Sequence, residues 1–390
     1  MTSKQRLERV LAHRIPDRTP ISMYEMVQYN YWENTDDVLS YDVIGADYKG
    51  WYCKQPSYVA LIEYLRKNAD CLYMWFPEEI SGSGKFLNGY DFTSRTQTQR
   101  TGDSVITQVT IETPRGDLSV TTRVDKGLNT VWETEHLLKD INDVDKLLSL
   151  PYEPYRPDLS SYSAIEEKLG EDGIMMPNLG DPVLYVAELF GFTEFSLLAY
   201  TEKKRIKYLL DVMYERVLDN LQYQLLGGVK GLYRIVGPEY VTAPFLPVDY
   251  FNEFVAPYDK KLVEMLHKYG ALARLHCHGR VGGLLEIFRD MGVDAIDPVE
   301  DYPSGDVSLA EAKRRIGAEV TLFGNIQLRD IELLSQVEMV ELTRRTLDAA
   351  MGNGGFVIMP TSGPITSELS PATEKNCYAF VDTVLKYGVY

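Results

Sequence analysis

Short apolar runs and longer amphipathic stretches alternate along most of this chain. Eight runs read as buried strands, at residues 21–26, 71–76, 174–180, 231–237, 273–279, 295–300, 320–325 and 355–360. They are nearly continuous in apolar residues and bounded by turn formers, the pattern of strands covered on both faces. Between them, apolar positions recur at helical spacing. Residues 201–226 put Ile206, Leu209, Leu210, Met213 and Val217 on one face. Residues 247–269 open at Pro247-Val248-Asp249 and close at Gly270, a residue suited to ending a helix. Residues 283–291 and 309–316 follow the same plan, residues 331–351 read as two helices broken near Ser335, and a last helix covers 371–387.

Strand–helix alternation repeated eight times predicts a (β/α)8 TIM barrel, a single domain over residues 1–390. A doubly wound sheet is the alternative, but it normally has fewer repeats and a glycine-rich first turn. Neither GxGxxG nor GxxxxGK[ST] occurs, which removes the main support for dinucleotide and P-loop readings. One segment breaks the alternation. Residues 105–111 and 118–122 show period-two patterning around Thr113-Pro114-Arg115-Gly116-Asp117, so a β-hairpin insertion is expected within residues 81–135, after strand two and near the barrel mouth. Residues 152–169, rich in proline and serine at first, read as the linker back.

Composition narrows the functional classes. The formal net charge is −17, which repels phosphate backbones and disfavours nucleic acid as a partner. No apolar run approaches the roughly 18–20 residues that span a bilayer, and the polar amphipathic start Met1-Thr2-Ser3-Lys4-Gln5-Arg6 does not read as a signal peptide. Cysteines at 53, 71, 277 and 377 show no CxxC spacing, so a reducing cytoplasm is expected.

In a barrel of this kind the chemistry gathers where strands run into the following loops. Strand five ends in Leu275-His276-Cys277-His278-Gly279, which holds two of the five histidines. Residues two apart on a strand share a face, so His276 and His278 project together while Cys277 turns towards the helices. Zinc ligation, metal-free acid/base or substrate-binding work, and a purely structural role for one ring all remain open for this pair. Neighbouring strand ends offer Glu239 and Asp297, either of which could join the histidines, and Glu25 at strand one. His276, His278 and Glu239 form the candidate metal set. Candidate substrate contacts are Trp75, Phe76, Asn178, Asp181, Tyr240 and Asn325, with Phe245 as further aromatic lining. Asp181 precedes Pro182 and equally suits capping the next helix, and Asn325 after Gly324 equally suits a turn.

These landmarks, in order, resemble the uroporphyrinogen decarboxylase superfamily. The resemblance runs from Ile15-Pro16-Asp17-Arg18-Thr19-Pro20 through Gly191-Phe192, Glu253-Phe254, Pro257-Tyr258 and His276-Cys277-His278-Gly279 to Phe323-Gly324-Asn325-Ile326. It implies a (β/α)8 barrel, commonly a homodimer, in either a tetrapyrrole decarboxylase branch or a corrinoid-dependent methyltransferase branch. The decarboxylase branch carries arginines near strand one that clamp substrate carboxylates. Here Ser22-Met23-Tyr24-Glu25-Met26-Val27-Gln28-Tyr29-Asn30-Tyr31-Trp32 has none. The methyltransferase branch binds zinc through His-x-Cys and a distant Cys at strand eight, where this chain has His278 and Met359-Pro360-Thr361-Ser362. The resemblance therefore implies a methyltransferase moving a methyl group from a small donor, such as a methoxylated aromatic, to a corrinoid (cobalamin) carried by a partner protein. Zinc assistance is expected only if a His/His/carboxylate site replaces the usual one. Decarboxylation of uroporphyrinogen or another acid, and a non-enzymatic barrel that binds a ligand or a corrinoid protein, are the alternatives.

Overall fold

The structure, a computed structural model, describes residues 1–24, 56–77, 86–126, 128, 130–364, 366 and 368–390. Its strands in chain order are β1 (Cys71–Trp75), β2 (Ser94–Thr101), β3 (Ser104–Ile111), β4 (Leu118–Asp125), β5 (Val131–Glu135), β6 (Gly173–Gly180), β7 (Leu232–Val236), β8 (Leu272–His276), β9 (Ala295–Asp297), β10 (Thr321–Ile326) and β11 (Phe356–Pro360). Seven of them form one curled, all-parallel sheet in the order β1-β6-β7-β8-β9-β10-β11, with helices between successive strands. This is a TIM-barrel-like α/β fold. The expected strand one does not form a ladder among the described residues. Ile21 makes an isolated parallel bridge to Ile358 of β11. The segment hydrogen-bonds to both sheet edges: Ile358 N donates to Pro20 O, Ser22 N to Ile358 O, and Asp70 N, just before β1, to Ile21 O. Glu25 and the end of that expected strand lie outside the described residues.

The insertion is larger than a hairpin. β3 and β4 pair as expected, from Ile111–Leu118 to Ser104–Asp125, but β2 and β5 flank them in a four-stranded antiparallel sheet. β2 reads Ser-Arg-Thr-Gln-Thr-Gln-Arg-Thr and is exposed along its whole length. With no apolar face to bury, it leaves no period-two signal. Two further corrections concern helices. Residues 247–269 form two helices, Val248–Phe254 and Ala256–Lys268, because Pro257 lacks an N–H and suits only a helix start. The expected linker ends in a helix, Ser160–Leu169. The break near Ser335 is as expected, since Ser335 caps Gln336–Ala350 in a reciprocal capping box with Glu338.

The sheet interior is built in layers. Leu7 and Val10 of the helix Ser3–Leu11 pack with Leu72, Met176, Leu232 and Phe323, so the amphipathic first helix plugs the interior with apolar side chains. Beyond this layer the interior turns polar, and there the candidate site begins. Among the described residues no single helix is long and apolar enough to cross a membrane.

Candidate functional site

Parallel pairing of β8 with β9 places Arg274 beside Ala295 and His276 beside Asp297. Arg274 and His276 are two apart and share the inner face of β8. Asp297, at the end of β9, receives both. Arg274 Nε donates to its Oδ1 at 2.7 Å, and His276 Nδ1 lies 2.7 Å from Oδ2. The rest of the guanidinium rests on soft atoms: Nη1 donates to Met176 Sδ at 3.2 Å, Nη2 to Met359 Sδ at 3.4 Å, and its carbon lies 4.4 Å from the Phe323 ring centroid. Arg274, His276 and Asp297 are all buried. Burial alone would raise the Asp297 pKa, yet Arg274 and His276 outweigh it and hold the carboxylate ionised far below its usual range. Burial, then the nearby charge of Arg234, lowers the His276 pKa to about 3, so this ring is neutral. An ionised Asp297 fixes the proton of a neutral ring on Nδ1 and leaves Nε2 as an acceptor.

His278 sits just past the end of β8, its ring centroid 4.7 Å from that of His276 and nearly perpendicular to it. Its side chain is 35% exposed against 6% for His276, which makes His278 the ring that an incoming molecule meets. His278 Nδ1 lies 3.3 Å from Glu300 Oε2, the same oxygen that accepts the Gly279 N–H at 2.8 Å. Burial alone would lower the His278 pKa; Glu300, followed by Asp297 and Glu239, outweighs it and raises the net value. Glu300 responds in the opposite direction. Burial would raise its pKa, but the His278 and Gly279 contacts lower it. One histidine is therefore held neutral while the proton affinity of its neighbour is raised, a divergence typical of acid/base sites.

Glu239 follows β7 in the short turn Pro238–Val241, and its Oε2 accepts the Gly237 N–H at 3.1 Å. Burial raises its pKa, and the charge of His278 opposes that rise. Among the described residues, no group of three or more His, Cys, Asp and Glu side chains is arranged to hold a metal ion. His276, His278 and Glu239, the expected zinc ligands, are not gathered into such a group.

The remaining candidates divide between the interior and the surrounding framework. Asn178 Oδ1 accepts from Arg234 Nη1 at 3.3 Å, while Arg234 Nη2 donates to Tyr24 Oη at 2.7 Å. The Tyr24 ring centroid lies 6.2 Å from that of His276. Tyr240 packs on Phe192, which in turn meets the half-exposed Phe245. Phe76 is exposed. Trp75 is buried against Tyr162 and donates from Nε1 to Ser161 Oγ at 3.0 Å, on the helix side of the sheet. Asp181 is fully buried and takes the capping role, its Oδ1 accepting the Leu184 N–H at 2.6 Å. Asn325 Nδ2 donates to Val299 O at 3.1 Å. Cys277 is buried.

Sequence reasoning did not single out Arg274 or Glu300. Arg274 carried a signal: a charge on the inner face of an apolar strand, two residues before His276, demands a buried counter-charge.

The uroporphyrinogen decarboxylase family pattern matches residues 99–387, about three quarters of the chain, including the strands β6 to β11 and the residues Glu239, His276, His278, Asp297 and Glu300. The chain belongs to the uroporphyrinogen decarboxylase family. Among relatives, a uroporphyrinogen decarboxylase of Actinobacillus pleuropneumoniae is 27% identical over 200 residues, covering 50% of this chain and 52% of that protein. One from Pseudoalteromonas translucida is 25% identical over 281 residues, covering 67% and 75%. The match to the first spans about half of that relative's length. In overall fold the chain is similar to a methyltransferase from Methanosarcina mazei, with TM-score 0.57, 18% identity and 99% of both chains covered.

The turn that carries Glu239 depends on one glycine. Gly237 has φ +130°, and a Cβ there would lie 1.9 Å from Asp181 Oδ1. Gly237→Ala should lower the unfolding free energy by more than about 1 kcal/mol, read from urea denaturation. A midpoint unchanged from wild type would contradict this account of the turn.

Proposed function

We propose that this protein is a methyltransferase that takes the methyl group of a small methoxylated compound, in the favoured case an aromatic one, and passes it to a corrinoid carried by a partner protein. The observation that carries this reading is the His276–His278 pair, with Glu300 beside His278 at the exposed edge of the site, where it favours the protonated ring. When a methyl group leaves an ether, the carbon–oxygen bond breaks and its electron pair stays on oxygen. His278, with Nδ1 turned to Glu300, presents Nε2–H to that oxygen and transfers the proton, giving an alcohol or phenol and a neutral ring. The corrinoid cobalt supplies the electron pair that takes up the methyl carbon. His276, neutral and fixed by Asp297, offers Nε2 as an acceptor that orients the substrate. Phe245 and Tyr240 suit the walls of an aromatic pocket.

Decarboxylation of a tetrapyrrole fits less well. Such a substrate brings many carboxylates, whereas Glu239, Asp297 and Glu300 surround the pair and residues 21–55 contain no arginine. The test is to supply methoxylated benzoates and phenols with reduced cobalamin, free or on a corrinoid protein. Methylated cobalamin should form together with an equal amount of demethylated product. Turnover of uroporphyrinogen with release of carbon dioxide, and no methyl transfer from any ether, would replace this reading with the decarboxylase one.

A further inference from the structure

The inner face of the sheet carries a second arginine, which the chemistry above does not use. β7 pairs in parallel with β6 and β8, so Asn178, Arg234 and Arg274 stand in one row across three strands. Val236, His276 and Asp297 form the next row towards the mouth. Beneath both lies the apolar layer of Met176, Leu232 and the first helix. The row with the two arginines is therefore the floor of the site.

The two guanidinium groups are held differently. Arg274 is met by the Asp297 carboxylate. Arg234 Nη1 donates to Asn178 Oδ1 at 3.3 Å and Nη2 to Tyr24 Oη at 2.7 Å, an amide and a phenol hydroxyl. These contacts fix the plane of the fork and bring no formal charge to it. The positive charge is felt within the site, where it lowers the His276 pKa and opposes the rise of the Glu239 one. Glu239 turns its Oε2 to the Gly237 N–H. Asn178 and Tyr24 are half-buried although they face inwards, so solvent reaches the floor beside Arg234, itself 7% exposed. A planar fork of N–H donors matches a carboxylate in a bidentate pair, and in a partly desolvated place such a pair is strong. The rim at His278 is acidic, with Glu239, Asp297 and Glu300, so the floor is the place in this site that favours a negative charge.

We propose that Arg234, with Asn178 and Tyr24 beside it, anchors a single carboxylate of the substrate, which makes the methyl donor a methoxylated aromatic acid with its acid and methoxy groups at opposite ends of the ring. The proposal rests on the methyl-transfer reading for the methoxy end alone. Arg234 stands one row beneath His276, and His278 lies past the end of β8. One row is two strand residues, roughly 6–7 Å. A para arrangement spans that separation, and an ortho arrangement, with its substituents adjacent, does not. No bond forms or breaks at Arg234; it binds and orients.

Ligand binding separates the anchor from the chemistry. 4-Methoxybenzoate and its neutral counterpart 4-methoxybenzamide are titrated calorimetrically into the full chain without any corrinoid. The wild-type protein should bind the acid about 10- to 100-fold more tightly than the amide. Equal affinities, or no binding of the acid, overturn the proposal before any variant is made. Arg234→Met should abolish the preference. Asn178→Asp sets a competing carboxylate against Arg234 while leaving the buried charge in place, and should reduce the preference at least about tenfold. A full preference for the acid in either folded variant overturns the role of Arg234. With reduced cobalamin added, 4-methoxybenzoate should be demethylated at least about tenfold faster than 2-methoxybenzoate, and equal rates overturn the opposite-ends arrangement. Tight binding of the acid that depends on Arg234, with no methyl transfer, keeps the anchor and removes the methyltransferase reading instead.

Discussion

Replacing Asp297 with asparagine is expected to cost about 3–5 kcal/mol of stability, the largest loss from any single substitution considered for this protein. The carboxylate serves two buried partners at 2.7 Å each, Arg274 and His276. Arginine stays charged at any working pH. Without Asp297, a guanidinium 2% exposed keeps only two thioether sulfurs and an aromatic face, none of which carries a compensating charge. The penalty is therefore that of an orphaned buried charge, which exceeds the net worth of the pair. Chemical denaturation of Asp297→Asn measures it, and a loss under about 1 kcal/mol would show that the interior admits water to Arg274. Adding Arg274→Met to Asp297→Asn should restore part of the loss, because the double variant removes the orphan; their coupling energy in a double-mutant cycle should be large. The sign with pH is fixed by the direction of the shift. The folded-state pKa of Asp297 is depressed, so its contribution is present above the unfolded carboxylate value near 3.8 and is lost as pH falls towards the folded value.

How far this interior was legible in the sequence depends on whether a residue announces itself locally. His276 did, because period two on β8 puts it on the inner face with Arg274; His278 lies just past the strand's end, where the turn and not the strand period brings it beside His276. Asp297 followed from strand order, since adjacent parallel strands end side by side. Glu300 lies beyond Pro298 and reaches His278 only through the path of the loop after β9, which no local pattern encodes. Asp259 sits in Tyr258-Asp259-Lys260-Lys261, which reads as a solvated helix start; its complete burial comes from how that helix settles on β8. The parallel strands β1, β6, β7, β10 and β11 were legible to within a residue because both faces are covered, whereas β8 and β9 end three residues sooner than expected and residues 21–24 contribute only an isolated bridge. β2 was not legible, since it buries neither face.

Removing the proton donor while leaving the fold intact should separate chemistry from architecture. His278→Gln is expected to lower methyl transfer by about 10²–10⁴-fold, with a change in stability of no more than about 1 kcal/mol, because His278 is the more exposed ring and its ion pair with Glu300 lies at the edge of the site. An acid catalyst also prescribes a pH profile. The rate should hold level below the His278 pKa, which lies above the ordinary histidine value, and fall as pH rises through it. The same raised pKa means that the stabilisation from this pair is fully present below the unfolded histidine value near 6.5 and is lost as pH rises through the folded one. Glu300→Gln supplies the decisive comparison. It removes the main charge that keeps His278 protonated, so the decline should begin at a lower pH, and activity should recover when the medium is made more acidic. If His278 only packed against its neighbour, Glu300→Gln would lower the rate equally at every pH. The two profiles differ most between the two His278 pKa values, where the wild-type ring still holds its proton and the Glu300→Gln ring has lost it.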